Sequence, residues 1–230
     1  MKSILLVTFY FLSISCDSQV TNFTFPKITN HANKWIDIVP SGWKLVDSVY
    51  CDFDKDSLTD LVMVISTCVP IQPKDTDCIS SEPFYPKMLI IMFRKPDNTF
   101  ELSISATRFF GDCNWGIQGQ DPYNKIFSRR NTLGIQFSTG GTLRNLISYF
   151  FQYRDNNWYL VGASTEQYQQ GQSGFYIEDI NFVKRTKESY SKNSLQGKRL
   201  FLKKTVLDDR ALIKLRDFTD DSQIPFTPEN

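Results

Sequence analysis

The stretch YFFQYRDNNWYLVG, residues 149–162, decides the reading of the fold. Two runs rich in aromatic and β-branched residues flank Asp155, Asn156 and Asn157. Asn and Asp favour tight turns because their short polar side chains bond the local backbone and tolerate a left-handed conformation. The pattern is that of an antiparallel hairpin. The same grammar continues around it. YNKIFSRR (123–130), TLGIQFST (132–139), LRNLISYFFQYR (143–154) and WYLVGAST (158–165) follow one another with only RN, GG and DNN as turns. Upstream, KMLIIMF (87–93) and TFELSISATRFF (99–110) are joined by RKPDN into a second hairpin. Further upstream, WIDIVPSGWKLVDSVY (35–50) gives an extended segment, a Pro-Ser-Gly turn and a second extended segment. The region 164–196 is less regular, with FYIEDINFVKRT (175–186) as its strand, and KRLFLKKTVLDDRALIKLRDF (198–218) ends the fold as a strand pair or a short helix.

Composition agrees with strands. The chain has 230 residues, long enough to bury a proper core, and carries 19 Phe, 10 Tyr and 4 Trp beside many Val, Ile and Thr. The expected fold class is therefore all-β, built of antiparallel sheets. The segments above amount to about ten to twelve strands. Lys plus Arg is 26 against 25 for Asp plus Glu, a balance that excludes the electrostatic footprint of a nucleic-acid binder.

The chain opens with MKSILLVTFYFLSISC: one cation at Lys2, an apolar run from Ile4 to Leu12, then small residues. It is too short for a mature membrane span and has the form of an export signal. Its end allows two cuts. Ser13 and Ser15 suit ordinary cleavage, while LSISC is similar to a bacterial lipobox in which Cys16 takes the lipid, with Ser13 where an aliphatic residue is usual. The expected layout is a signal peptide at 1–15, a lipid-anchored tether at 16–34, one β-rich domain at 35–218 and a flexible tail at 219–230. The location is a bacterial cell envelope, and the membrane surface is a partner through the lipid.

The most distinctive chemistry lies in CDFDKDSLTDLVMV, residues 51–64. Asp52, Asp54, Asp56 and Asp60 stand within nine residues and run directly into an apolar strand. Carboxylates this close raise one another's pKa unless a cation joins them. Calcium takes six to eight oxygen ligands, and a loop with side chains at positions 1, 3, 5 and 9 and a carbonyl at 7 wraps much of that shell. Counted from Asp52, these are Asp52, Asp54, Asp56, Asp60 and the carbonyl of Leu58. An EF-hand is excluded, because position 12 is Met63 and the flanks are strands. The alternatives to a calcium loop are a solvated acidic turn and a site for another metal.

YCDFDKDSLTDLVMVI resembles the FG-GAP-type (VCBS-type) calcium loop, D-x-D-x-D-G-x-x-D followed by an apolar strand. Together with VPSGWKLVDSVY and the 149–162 hairpin, it is similar to a group of bacterial exported proteins, often lipoproteins, that carry one such loop. The resemblance covers roughly residues 35–165 and implies a fold and a metal site, with no known reaction. Loops of this type are best known from the blades of β-propellers; a closed propeller needs at least four blades of four strands, so with about ten to twelve strands and one loop a partial propeller-like stack or a sandwich of antiparallel sheets is expected instead. Two positions depart from the pattern: Cys51 and Ser57 stand where the family has glycine. At Ser57 a left-handed backbone costs a side-chain-bearing residue roughly 1 kcal/mol.

The remaining candidates are weaker. Cys51, Cys68, Cys78 and Cys113 are an even set suited to two disulfides in an oxidising compartment, leaving Cys16 for the lipid. Four cysteines allow three connectivities. Cys68 with Cys78 would staple a proline-rich loop, and Cys51 with Cys113 would then pair by elimination. His31 is the only histidine and falls in the expected tether, which speaks against a histidine-based nucleophilic site. Trp35, Trp43, Trp115 and Trp158 suit either a core or a sugar platform. The expected function is a non-enzymatic binding or structural envelope protein, with an envelope protein or glycan as partner. The alternative is a secreted, carbohydrate-directed hydrolase using dispersed acidic residues.

Overall fold

The computed structural model describes residues 23–73, 82–111, 113–169, 171, 174–193 and 199–219. The signal peptide, Cys16, Cys78 and residues 220–230 of the expected tail lie outside the described residues. Among the described residues the regular structure is strand apart from short 3-10 turns, and every ladder is antiparallel. The strands are β1 (His31–Ala32), β2 (Trp43–Cys51), β3 (Asp60–Thr67), β4 (Lys87–Arg94), β5 (Phe100–Ala106), β6 (Tyr123–Arg129), β7 (Thr132–Gly140), β8 (Leu143–Arg154), β9 (Asn157–Gln169), β10 (Gly174–Asn181), β11 (Thr186–Asn193) and β12 (Arg199–Val206). They form a five-stranded sheet, β1-β5-β4-β3-β2, and a seven-stranded sheet, β12-β11-β10-β9-β8-β7-β6. Neither sheet closes into a barrel. No helix of the described residues is long and apolar enough to cross a membrane.

The two sheets share one core. Val62, Val64, Leu89, Ile91 and Phe93 from the first sheet pack with Leu133, Ile135, Phe137, Phe151, Trp158 and Leu160 from the second. The opposite face of β3 and β4 carries Leu61, Met63, Ile65, Met88, Ile90 and Met92, covered by Ile28, Ala32 and Ile38. Both faces of these central strands are thus buried, which is why DLVMVI and KMLIIMF are continuous apolar runs without alternation. The edges of the sheets are fastened by Asp47 on β2. Its Oδ2 accepts from the Tyr123 hydroxyl (2.8 Å) and the Ile126 amide (2.9 Å) on β6.

The expected hairpins form, and their turns have the backbone that hairpins select. Arg130 and Asn131 (φ 50° and 60°), and Asp155 and Asn156 (φ 49° and 55°), are two-residue turns with both residues left-handed. Several boundaries differ from expectation. The stretch taken as a tether to residue 34 belongs to the fold from Ile28 onward, because β1 pairs with β5 and Ile28 seals the second core. Trp35–Ile38 is a 3-10 turn rather than extended chain. β5 stops at Ala106, and the chain then coils through a 3-10 turn, Arg108–Phe110, that buries both phenylalanines. β11, TKESYSKN, is an unanticipated strand held by ladders to β10 and β12 on either side. Of the expected strand pair or short helix at 198–218, residues 199–218 supply one strand, β12, then irregular chain and a 3-10 turn at Leu215–Asp217.

Candidate metal centre

The aspartate loop connects β2 to β3, whose end residues Cys51 and Asp60 face each other across the ladder. Two anchors hold it. Phe53 is fully buried, its ring 5.5 Å from that of Trp158. Asp60 is fully buried too, and both of its carboxylate oxygens accept backbone amides: Oδ2 from Phe53 (2.8 Å) and Oδ1 from Arg94 (3.1 Å). Asp60 thereby ties the loop's start to the end of β4. From the second sheet, the side-chain amide of Asn131 donates to the carbonyl of Asp52.

Between the anchors the carboxylates organise the backbone. Oδ2 of Asp52 accepts from the Ser57 amide (3.2 Å), Oδ1 of Asp54 from Asp56 (3.2 Å) and Oδ1 of Asp56 from Leu58 (2.7 Å). Lys55 and Ser57 take left-handed conformations, φ 68° and 74°. Position 57 therefore has the geometry for which glycine is suited, and serine bears its cost there. Ser57→Gly is expected to raise the melting temperature by about 2–4 °C, the equivalent of about 1 kcal/mol in a domain of this size. Thermal melts in chelator check this.

Of the expected ligands, Asp52, Asp54 and Asp60 converge, with one oxygen of each within 4.8 Å of the others. Asp56 is not part of that group; its Oδ1 accepts the Leu58 amide. The set suits a hard cation in one telling respect. Oδ1 of Asp52 is buried and has no hydrogen-bond partner, a costly state that a cation would relieve. Electrostatics point the same way. Burial pushes the Asp60 carboxyl up to about 6, against the lowering pull of its two amide bonds. Burial also raises Asp54; the Asp56 amide lowers it, and the charges of Asp56 and Asp52 raise it again. A calcium ion here would be held by Asp52, Asp54 and Asp60 and would supply the positive charge these groups lack.

The other sequence candidates are distributed differently from expectation. Cys51 and Cys68 are free thiols, so neither the Cys51–Cys113 nor the Cys68–Cys78 bridge forms. Cys51 is half-buried and packs against the main core, in the manner of a small apolar residue. Cys68 is exposed, its amide donating to the Gly42 carbonyl (2.8 Å). Cys113 is disulfide-bonded. His31 is exposed on β1, opposite Glu101 in the ladder. The tryptophans form no shared platform: Trp43 packs on one core, Trp115 and Trp158 on the other, and Trp35 is exposed. The roles of Asn131 and of the Arg94 amide have no signal in the sequence, because each acts on the loop from a distant element. No protein-family model, curated protein or solved structure matches this chain.

Proposed function

We propose that this chain is an exported, lipid-anchored binding protein of a bacterial cell envelope, non-catalytic, whose 52–60 loop holds calcium as a structural clamp. The observation that carries the metal reading is the convergence of Asp52, Asp54 and Asp60 around a buried, unpartnered oxygen. The export and lipid reading rests on the first sixteen residues of the sequence, with Cys16 as the acylated residue. A binding role is favoured over a histidine-based reaction because the single histidine stands exposed on β1 and outside the acidic group. The ion closes a loop that the protein already anchors at Phe53 and Asp60, so its contribution is to stability and to the fixed shape of this end of the molecule.

The test is thermal melting of the chain from residue 17, which contains every described residue, in excess chelator and in millimolar calcium. An ion that binds only the native state at a hundred times its Kd adds about 2.7 kcal/mol, which for a domain of this size is a rise of about 5–10 °C. Asp54→Asn is expected to abolish the rise. In chelator the same variant is expected to melt slightly above wild type, since it removes one of the mutually repelling charges while keeping an acceptor for the Asp56 amide. Equal melting temperatures in chelator and calcium would remove the metal from this reading.

A further inference from the structure

The segment that covers the second face of β3 and β4 carries an apolar surface of its own. Ile28, Ala32 and Ile38 are buried in the second core. Phe25, Trp35 and Ile36, from the same segment, are exposed, Ile36 by 54%. The Phe25 ring lies 4.9 Å from Phe23 and 6.0 Å from Trp43 at the start of β2. Leu45, also exposed, stands opposite Ile65 in the β2–β3 ladder. Opposite residues share a face, so Leu45 lies on the side of the sheet that Ile65 and the second core occupy. An aromatic-rich apolar surface thus surrounds the point where the described chain begins.

The length of chain before Phe23 says what lies against this surface. Only residues 17–22 separate Phe23 from Cys16, and the backbone between the two spans at most about 25 Å. That is shorter than the roughly 40 Å width of a domain of this size. With the lipid on Cys16, the side of the molecule that carries Phe23 is therefore the side held toward the bilayer. Tryptophan and its aromatic neighbours suit the level of the headgroups, where one end of the ring is apolar and the other wet. The charges on the segment agree: exposed Lys27 and Lys34 stand against exposed Asp37, so an anionic headgroup meets more attraction than repulsion. We propose that the face formed by Phe25, Trp35, Ile36 and Leu45 seats on the lipid surface as a second membrane contact beside the acyl anchor. The inference rests on the lipid-anchored reading above and deepens it by fixing an orientation. The seven-stranded sheet packs on the other face of β3 and β4, so it is carried on the side away from the bilayer.

The chain from residue 17, carrying an N-terminal hexahistidine, is captured on vesicles of phosphatidylcholine and phosphatidylglycerol that contain a nickel-chelating lipid. Its N-terminus is then held at the surface without any acylation of Cys16. Lipids brominated in the upper acyl chain are expected to quench about a quarter of the tryptophan emission, the share of one ring among four, relative to unbrominated vesicles of the same composition. Trp35→Phe is expected to remove that quenching, and Ile36→Asp to reduce it by about threefold. Both positions are exposed, so both variants are expected to melt with wild type. Absence of quenching in the captured wild-type chain overturns the proposal, as does quenching unchanged in both variants. A dimer in solution that Ile36→Asp dissolves also overturns it, giving the face to a second copy of the chain. Mass spectrometry of the full chain recovered from bacterial membranes reads the anchor separately. Acylated Cys16 without quenching leaves the anchor and removes this face, whereas quenching with an unmodified Cys16 keeps the face and removes the anchor.

Discussion

Asp60→Ala is expected to lower the melting temperature by about 10 °C in chelator, where no cation contributes. Two opposing effects set the size of the loss. Asp60 is fully buried, and burial disfavours its charge enough to bring its carboxyl up to about 6. Removing it relieves that penalty. It also strips both amides, Phe53 and Arg94, of their acceptor. An unsatisfied buried donor costs about 1–3 kcal/mol, so two cost about 2–6, and relief of the buried charge offsets part of this. The net loss is expected at about 2–4 kcal/mol, with roughly 2–4 °C per kcal/mol in a domain of this size. Asp60→Asn keeps one acceptor but turns an NH2 group toward the other amide, so the order in chelator is wild type, then Asn, then Ala. Urea denaturation with and without calcium gives the same ranking an independent reading. An alanine variant as stable as wild type would mean that the buried charge, and not the pair of hydrogen bonds, governs this position. In calcium the gap to wild type widens further, because the variant loses a ligand as well as a latch.

Asp60 illustrates how far the sequence carries. Its membership of an acidic loop is visible from spacing alone, and three of the four aspartates do converge. Its bond to Arg94, thirty-four residues away, is not visible, because which amide ends beside the carboxylate depends on how β3 and β4 register. The hairpins were legible because their information is local. Turn residues at 130–131 and 155–156 demand a left-handed backbone, and Leu143–Arg154 spans the strand the sequence predicts. β11 was not legible, since polar TKESYSKN is a strand only by virtue of ladders to β10 and β12, which a side-chain pattern does not record. The tether failed for a related reason. Ile28 and Ala32 are two apolar residues in a polar stretch, and their burial comes from a second face of β3 and β4 that needed covering. The cysteine pairs fell because pairing by elimination treats cysteine only as a disulfide partner, whereas Cys51 serves as packing.

Phe109→Ala is the substitution expected to cost the most. Phe109 falls in the run TFELSISATRFF, which periodicity extends as one strand to residue 110. The strand ends at Ala106 instead, and the 3-10 turn that follows drives Phe109 into the core between the sheets. Its ring lies 5.8 Å from Phe137, 5.4 Å from Phe151 and 4.7 Å from Phe218. It therefore packs between the seven-stranded sheet and the C-terminal segment, whose Phe218 also lies 4.9 Å from Tyr149 and 5.5 Å from Phe151. Deleting a buried phenylalanine side chain costs about 3–5 kcal/mol in transfer and cavity terms, equivalent here to about 10 °C or more. Phe201→Ala on β12 is the control: Phe201 is half-exposed and outside either core, and its removal is expected to stay within about 0.5 kcal/mol of wild type. If the two variants melt alike, the shared core does not hold the sheets together in the way these contacts require. If Phe109→Ala also exposes the C-terminal segment to limited proteolysis while the calcium response survives, then the clamp at the 52–60 loop and the aromatic seam at Phe109 stabilise the molecule independently. That outcome is expected, because the acidic group stands on the loop between β2 and β3, whereas the Phe109 ring packs on Phe137, Phe151 and Phe218.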